Sequence, residues 1–315
     1  MTQKLADMGK QLQCAPMVVV LVVCALVASL CVFSTQQQRY SYLITSEGGS
    51  LQGIDRPDVL PATANMSRSE HEVANPHPFV FTLNHPVRCV SSDVFLLIIV
   101  PTPPEGQAQR QAVRQTWGDE TSVPGVVIRT VFAVGDSGDV KVQQALEDEN
   151  KLFGDIIQEN FADTPRNATL KTVMGLKWAS RFCPNAKYVL KASPDIFVNI
   201  LNLVNYLEEL PASATKLLVG WVNTDEKPAR EPLQQRYVPK DEYPRDMYPP
   251  YARGFAYVMS GDMPKLLYET SLTTKYFYLE DVYVGTCLKK LGIAPKHHGK
   301  FCDGFYSCTL DCYTC

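Results

Sequence analysis

The stretch VFLLIIV at residues 94–100 decides the fold. Seven apolar residues without a polar interruption are too rich for a half-exposed strand, so they read as a parallel strand buried on both faces. The proline-rich turn PTPPEG (101–106) ends it, and a polar helical segment follows over about 107–116. The alternation then repeats. VVIRTVFAV (126–134) is a second strand, residues 140–153 place Val142, Ala145, Leu146 and Leu152 at helical spacing, and Ile156 and Ile157 mark a short strand. Residues 167–182 make a helix with Leu170, Val173, Met174, Leu176 and Trp178 on its core side; 188–190 is a strand and 199–210 another helix. This order predicts an α/β domain on a mostly parallel sheet. Its ligand site is expected beyond the carboxyl ends of the strands. Residues 223–250, polar and rich in proline, read as a long functional loop.

Toward the N terminus, residues 34–88 are rich in Ser, Gln, Asn and Pro and lack periodicity, which reads as an extended stem. Before them, APMVVVLVVCALVASLCVF (15–33) holds 19 uncharged residues. As a helix that run crosses a bilayer core of ~30 Å. It exceeds the roughly 7–15 apolar residues of a cleaved signal peptide and has no small-x-small site after it, so a retained anchor is expected. Lys4 and Lys10 precede it and Arg39 follows, which orients the N terminus to the cytosol. The expected organisation is a cytosolic tail (1–14), a transmembrane signal-anchor (15–33), a luminal stem (34–88) and a luminal folded domain (89–315).

Of ten cysteines, Cys89, Cys183, Cys287, Cys302, Cys308, Cys312 and Cys315 lie beyond the anchor. An oxidising lumen favours disulfides, and an odd number leaves one unpaired or bonded to another chain. The spacing of the last four fits no standard zinc pattern. Asn65-Met-Ser and Asn167-Ala-Thr are acceptor sequons for glycosylation. A formal net charge of −3 with no basic stripe speaks against nucleic acid as a partner.

Two acidic segments fall where the ligand site should be. One is Lys191-Ala-Ser-Pro-Asp195-Ile-Phe-Val-Asn199; the other is Tyr278-Leu-Glu280-Asp281-Val-Tyr-Val-Gly285, ahead of a helix ending near Leu291. Asp195 is a candidate ligand for Mn²⁺ or Mg²⁺, which prefer carboxylate oxygens, and His297 or His298 would complete such a shell. Asp281 is a candidate general base. Each also has a structural reading: Asp195 as a turn residue after Pro194, Glu280 and Asp281 as charges favoured at a helix N terminus.

Further segments follow in order: Arg110-Gln-Ala-Val-Arg114-Gln-Thr-Trp117-Gly118, Phe153-Gly-Asp155-Ile-Ile, Phe161-Ala-Asp163, Asn167-Ala-Thr-Leu-Lys171-Thr172, Tyr248-Pro-Pro-Tyr251-Ala-Arg-Gly254-Phe-Ala-Tyr257-Val-Met-Ser260, and Glu280-Asp-Val-Tyr-Val-Gly285-Thr-Cys287-Leu. Together, over about residues 89–301, they resemble the β-1,3-galactosyltransferase family, Golgi enzymes whose relatives include β-1,3-N-acetylglucosaminyltransferases. The resemblance implies a GT-A fold, a Rossmann-like sheet with helices on both faces. It also implies an inverting transfer of galactose from UDP-galactose to a glycan on a glycoprotein or glycolipid, and a single-pass type II Golgi membrane protein that uses Mn²⁺. By resemblance Asp281 is the base and Glu280 shapes the pocket. Arg110, Arg114, Lys191 and Asp195 serve the donor, Tyr251 and Gly254 line the acceptor or sugar pocket, and Asp195 and His298 hold the metal. Trp117 and Trp178 are read as core residues.

One departure bears on activity. The family's frame K-x-D-D-D-x-F-V-N reads Lys191-Ala192-Ser193-Pro194-Asp195-Ile196-Phe197-Val198-Asn199 here, so Asp195 alone of the three acids remains. A serine hydroxyl is a poor substitute for a carboxylate around Mn²⁺, and proline stiffens the turn. Ala252 stands where the family has a cysteine, which leaves that cysteine's partner unpaired. An active galactosyltransferase with an altered metal site therefore competes with a chain that keeps the fold but acts as partner or chaperone of another transferase. N-acetylglucosaminyl transfer is a third expectation, and the sequence leaves homo- and hetero-oligomers open.

Overall fold

In the computed structural model, which describes residues 74–90, 93–234, 236–302 and 311–314, one eight-stranded sheet organises the domain. Its strands are β1 (Phe81–Leu83), β2 (Leu96–Pro101), β3 (Ile128–Asp136), β4 (Ile156–Ala162), β5 (Tyr188–Ala192), β6 (Leu218–Asn223), β7 (Tyr251–Ser260) and β8 (Lys296–His297). They lie in the order β1-β4-β3-β2-β5-β7-β6-β8. The helices are α1 (Gln107–Arg114), α2 (Val140–Phe153), α3 (Ala168–Phe182), α4 (Ile200–Glu209), α5 (Met263–Leu272) and α6 (Glu280–Leu291).

The period-two geometry of β2 divides the core in two. Leu97 and Ile99 join a cluster with Met174 and Trp178 of α3, Leu267 of α5 and Leu288 of α6. Leu96, Ile98 and Val100 join another with Val113 of α1, Leu146 of α2 and Leu203 of α4. Helices therefore cover both faces, which is why β2 is an uninterrupted apolar run. Trp117 and Trp178 are both buried, as expected of core residues.

The strands β4, β3, β2 and β5 are parallel, β2 matching Leu96 to Ile128 on one side and to Tyr188 on the other. The expected mostly parallel sheet is thus confined to the centre. At the margins β1 runs antiparallel to β4, and β7 antiparallel to both β5 and β6. The long loop at 224–250 replaces a crossover helix between β6 and β7, so those two strands are free to lie antiparallel.

The stem boundary also needs correction. Residues 75–88 do not hang clear of the domain. Lys177 donates to Phe79 O at 2.7 Å, the His77 ring nitrogen Nε2 sits 2.7 Å from Glu159 Oε2, and the Trp178 indole donates to Asn84 Oδ1 at 2.8 Å. β1 covers the edge of β4, the protection that an exposed sheet edge requires. The apolar segment 15–33 and Asn65 lie outside the described residues. Among the described residues no helix is long and apolar enough to cross a membrane.

A disulfide joins Cys89 to Cys183 and another joins Cys302 to Cys312; among the described residues Cys287 is the free cysteine. It is buried in α6, where burial pushes its thiol up to about 11.

Helices α1 and α2 are joined by buried charge. Arg110 donates to both carboxylate oxygens of Glu149, at 2.9 and 2.6 Å, and Arg114 reaches Glu149 at 2.8 Å and Asp155 at 2.7 and 2.8 Å. Burial alone would raise the Glu149 carboxyl, but the two guanidinium groups outweigh it and hold it below the usual carboxylate range. Removing one member leaves the others charged in a dry place. Glu149→Ala is expected to destabilise the domain by about 3–5 kcal/mol, measured by denaturant unfolding. Because the Glu149 pKa is depressed in the fold, its contribution is present above the ordinary carboxylate range and is lost as pH falls through the depressed value.

Candidate active site

The two acidic residues of the second segment open α6. Glu280 and Asp281 occupy its first turn, where unpaired backbone N–H groups favour negative charge. The helix can approach β7 closely because Gly285 lies one turn further on. A Cβ there would fall 2.6 Å from Tyr251 Cβ and 2.8 Å from Pro250 O. Gly254 is needed for the same packing, since a Cβ on it would come within 3.0 Å of Glu280 Oε2. The glycines thus set the depth at which the two carboxylates are held.

Those neighbouring carboxylates have different surroundings. Glu280 accepts from Lys191 Nζ at 3.0 Å and from Tyr257 OH at 2.7 Å, and Lys191 also donates to Gly254 O at 2.5 Å. Both side chains of the Lys191–Glu280 pair are 10% exposed, so Glu280 is neutralised and immobilised between β5, β7 and α6. Asp281 points elsewhere. Its Oδ1 accepts from Val282 N at 2.9 Å and from Arg236 Nη2 at 2.9 Å. Burial raises its carboxyl above the ordinary aspartate value; Arg236 opposes the shift and Glu280 adds to it.

Beside it, Asn223 Nδ2 donates to Glu226 Oε2 at 2.6 Å and to Tyr251 OH at 3.1 Å, and Tyr251 OH donates in turn to Glu226. Tyr251 therefore does stand next to the acids, its ring buried and its phenol pushed up by burial and by the Glu226 contact. Gly254 offers its backbone oxygen to Lys191.

Asp195 lies in an exposed turn just past β5. Ser193 N donates to Phe255 O at 2.8 Å, extending the β5–β7 ladder by one residue, and the Ser193 hydroxyl donates to Asp195 Oδ1. Ser193 thus steadies Asp195 from two residues away. His298 packs at a tilt against both rings of the stacked Tyr206–Tyr313 pair, with ring centroids at 4.9 and 5.0 Å, and burial with Lys300 and His297 nearby lowers its pKa. Tyr313 O accepts from Asn199 N at 2.8 Å, which brings the chain around His298 against the end of the Asp195 segment. His297 turns away: its Nδ1 accepts from Val222 N at 3.1 Å and its ring meets Trp221. Among the described residues no group of three or more His, Cys, Asp or Glu side chains could hold a metal.

The expected donor role of Arg110 is not supported. Its guanidinium is fully buried, and besides Glu149 it donates to Thr102 Oγ1, Pro103 O and Pro104 O, so all its N–H groups are taken. Arg114 is committed to Glu149 and Asp155 in the same way. The polar groups at the ends of β2, β3 and β4 are instead Lys171, which donates to Thr102 O at 3.1 Å and Asp163 Oδ1 at 2.8 Å, and Gly135, whose N donates to Asp163 Oδ2 at 2.8 Å. Asn167 caps the turn before α3, its amide donating to Ala162 O at 2.8 Å, and Thr169 of the same sequon is buried against Phe277 O. Glu226, Arg236 and Tyr257 were not singled out as site residues from the sequence. Tyr257 lay within a quoted motif, whereas nothing in the composition of the 223–250 loop marks Glu226 or Arg236.

Comparison with known proteins gives the same picture of relationship. The galactosyltransferase family profile matches residues 108–299. The chain is 42% identical over 228 residues to beta-1,3-galactosyltransferase 1 of Mus musculus and of Homo sapiens, covering 72% of this chain and 70% of theirs. It is 40% identical over 226 residues to lactosylceramide 1,3-N-acetyl-beta-D-glucosaminyltransferase A of Xenopus laevis, covering 69% of this chain and 60% of that one. Among solved structures, the apo form of the bifunctional glycosyltransferase WbbM aligns over 66% of this chain and 39% of its own with a TM-score of 0.37 and 11% identity. The chain belongs to the galactosyltransferase family.

Proposed function

We propose that this chain is an inverting β-1,3-hexosyltransferase of GT-A fold that moves galactose from UDP-galactose to a hydroxyl of a glycan acceptor, anchored as a type II protein in the Golgi membrane by residues 15–33. The observation that carries the reading is the split between the two acids of α6. Lys191 and Tyr257 tie up both oxygens of Glu280, while the contacts of Asp281, from Val282 N and Arg236, both fall on its Oδ1. A single displacement needs one base and no nucleophile on the protein. The acceptor O–H gives its proton to Asp281, its oxygen bonds to the anomeric carbon, and the bond from that carbon to the diphosphate breaks with its electron pair leaving on UDP. Glu280 holds α6 against β5 and β7, so the base sits at a fixed height.

A divalent cation would stabilise the charge that develops on the leaving diphosphate. Asp195 and His298 are the residues that would hold it. Asp195 is exposed and steadied by Ser193, and burial with Lys300 nearby lowers the His298 pKa, which favours the imidazole form that binds metal. One carboxylate and one imidazole suit an ion shared with the donor's phosphates rather than one caged by protein. The similarity to an N-acetylglucosaminyltransferase, at nearly the same identity, makes UDP-N-acetylglucosamine the second donor to try.

Asp281→Asn in a folded chain is expected to lower transfer from UDP-galactose by about 10²–10⁴-fold, the share a general base supplies. In the unmutated protein the rate should fall on the acid side as Asp281 gains its proton, with that limb above the ordinary aspartate range; transfer that persists in Asp281→Asn would remove the base. Restoring acids with Ser193→Asp and Pro194→Asp should lower the Mn²⁺ concentration needed for half-maximal rate by about tenfold or more. No UDP release from either sugar nucleotide would leave the non-catalytic partner as the reading.

A further inference from the structure

We infer that Arg236 is a positioning residue that covers the base until an acceptor arrives, and so suppresses transfer of the sugar to water. This rests on the proposed reading of Asp281. The groups acting on Asp281 come from every element around it: Glu280 and Val282 N of its own helix, Lys191 of β5, Tyr251 and Tyr257 of β7, and Arg236 and Glu226 of the 224–250 loop. Of the two cations, Lys191 is consumed by Glu280 and Gly254 O. Arg236 differs: its Nη2 lies 2.9 Å from Asp281 Oδ1, it also bonds Tyr251, and its side chain is 43% exposed, against 12% for Asp281. It is the cation that can leave.

The backbone of the loop is held beside Arg236. Arg230 donates to three loop carbonyls, those of Val238, Tyr243 and Arg245, at 2.8, 2.8 and 2.7 Å. Val238 N donates to Ala229 O at 2.9 Å, and Tyr278 OH to Tyr237 O at 2.9 Å. The residues just after Arg236 are therefore pinned. A second carboxylate is also at hand. Glu226, fixed by Asn223 and Tyr251, has its Oε1 3.8 Å from Arg236 Nη1. A rotation of the guanidinium from Asp281 toward Glu226 would uncover the base without leaving the cation unpaired.

Water and acceptor then differ in what they can displace. In either case the attacking O–H yields its proton to Asp281, its oxygen bonds to the anomeric carbon, and the bond to the diphosphate breaks with UDP as the leaving group. Water gives free sugar; the acceptor gives the glycoside. A glycan offers several hydroxyls to Asp281, Glu226 and Tyr251 together and can replace the charge-assisted contact of Arg236. A lone water molecule cannot replace so many contacts.

The test compares the detergent-solubilised full chain with Arg236→Ala and Arg236→Lys, measuring UDP release from UDP-galactose without acceptor, glycoside formed with acceptor, and the pH dependence of both. In Arg236→Ala the ratio of hydrolysis to transfer should rise about fivefold, the upper range for a part-exposed ion pair. Its acid limb should move to higher pH, because losing a neighbouring cation favours the protonated carboxyl. Arg236→Lys should recover much of both. A folded Arg236→Ala with the ratio and the acid limb unchanged would overturn this inference while leaving the transferase reading intact. Wild-type chain without UDP release or transfer would overturn both. Should Arg236→Ala fail to fold, Arg236→Gln, neutral and of similar reach, decides on the same two readouts.

Discussion

The buried pair between Lys191 and Glu280 is the contact on which the site depends. It ties the last turns of the parallel sheet to the first turn of α6, with Tyr257 and Gly254 O filling the remaining valences. Desolvating two charges is costly, and such pairs often add little net stability. What the pair contributes here is position. With α6 seated on β7 through Gly285, one carboxylate is locked inside and the next, a single residue on, faces the loop. Helical geometry turns adjacent residues about 100° apart, so two acids in sequence cannot share one environment.

The turn past β5 is held by contacts just as local. Ser193 continues the ladder to β7 through its backbone and steadies Asp195 with its hydroxyl. Arg110 and Arg114, for their part, serve the joint between α1 and α2, where their partners Glu149 and Asp155 are almost fully shielded.

Much of this was legible in the sequence wherever burial on both faces or a strict period left its mark. The run at 96–101 forms β2, residues 140–153 bound α2 at the capping Asp139 and the left-handed Gly154, and the alternation gives the parallel centre of the sheet. The margins were not legible. β1 has three residues and β8 two, too few for any period. In the site, Glu280 and Asp281 open a helix as the sequence pattern required, whereas Lys191, expected to serve the donor, bonds Glu280 and Gly254 O. Arg110 and Arg114 misled because an arginine beside a ligand and an arginine in a buried ion pair look alike until the partner acids, 35 to 41 residues away, are known. Arg236 lay in a loop without periodicity, and its meeting with Asp281 spans 45 residues.

The division of roles between the two acids of α6 is most directly tested by the pH–rate profile of Glu280→Gln. If Asp281 is the base and Glu280 its anchor, the variant turns over more slowly but keeps an acid limb, because the titrating group is still present. Loss of that limb in a folded Glu280→Gln protein would show that Glu280 is the group that takes the proton, and would contradict the assignment.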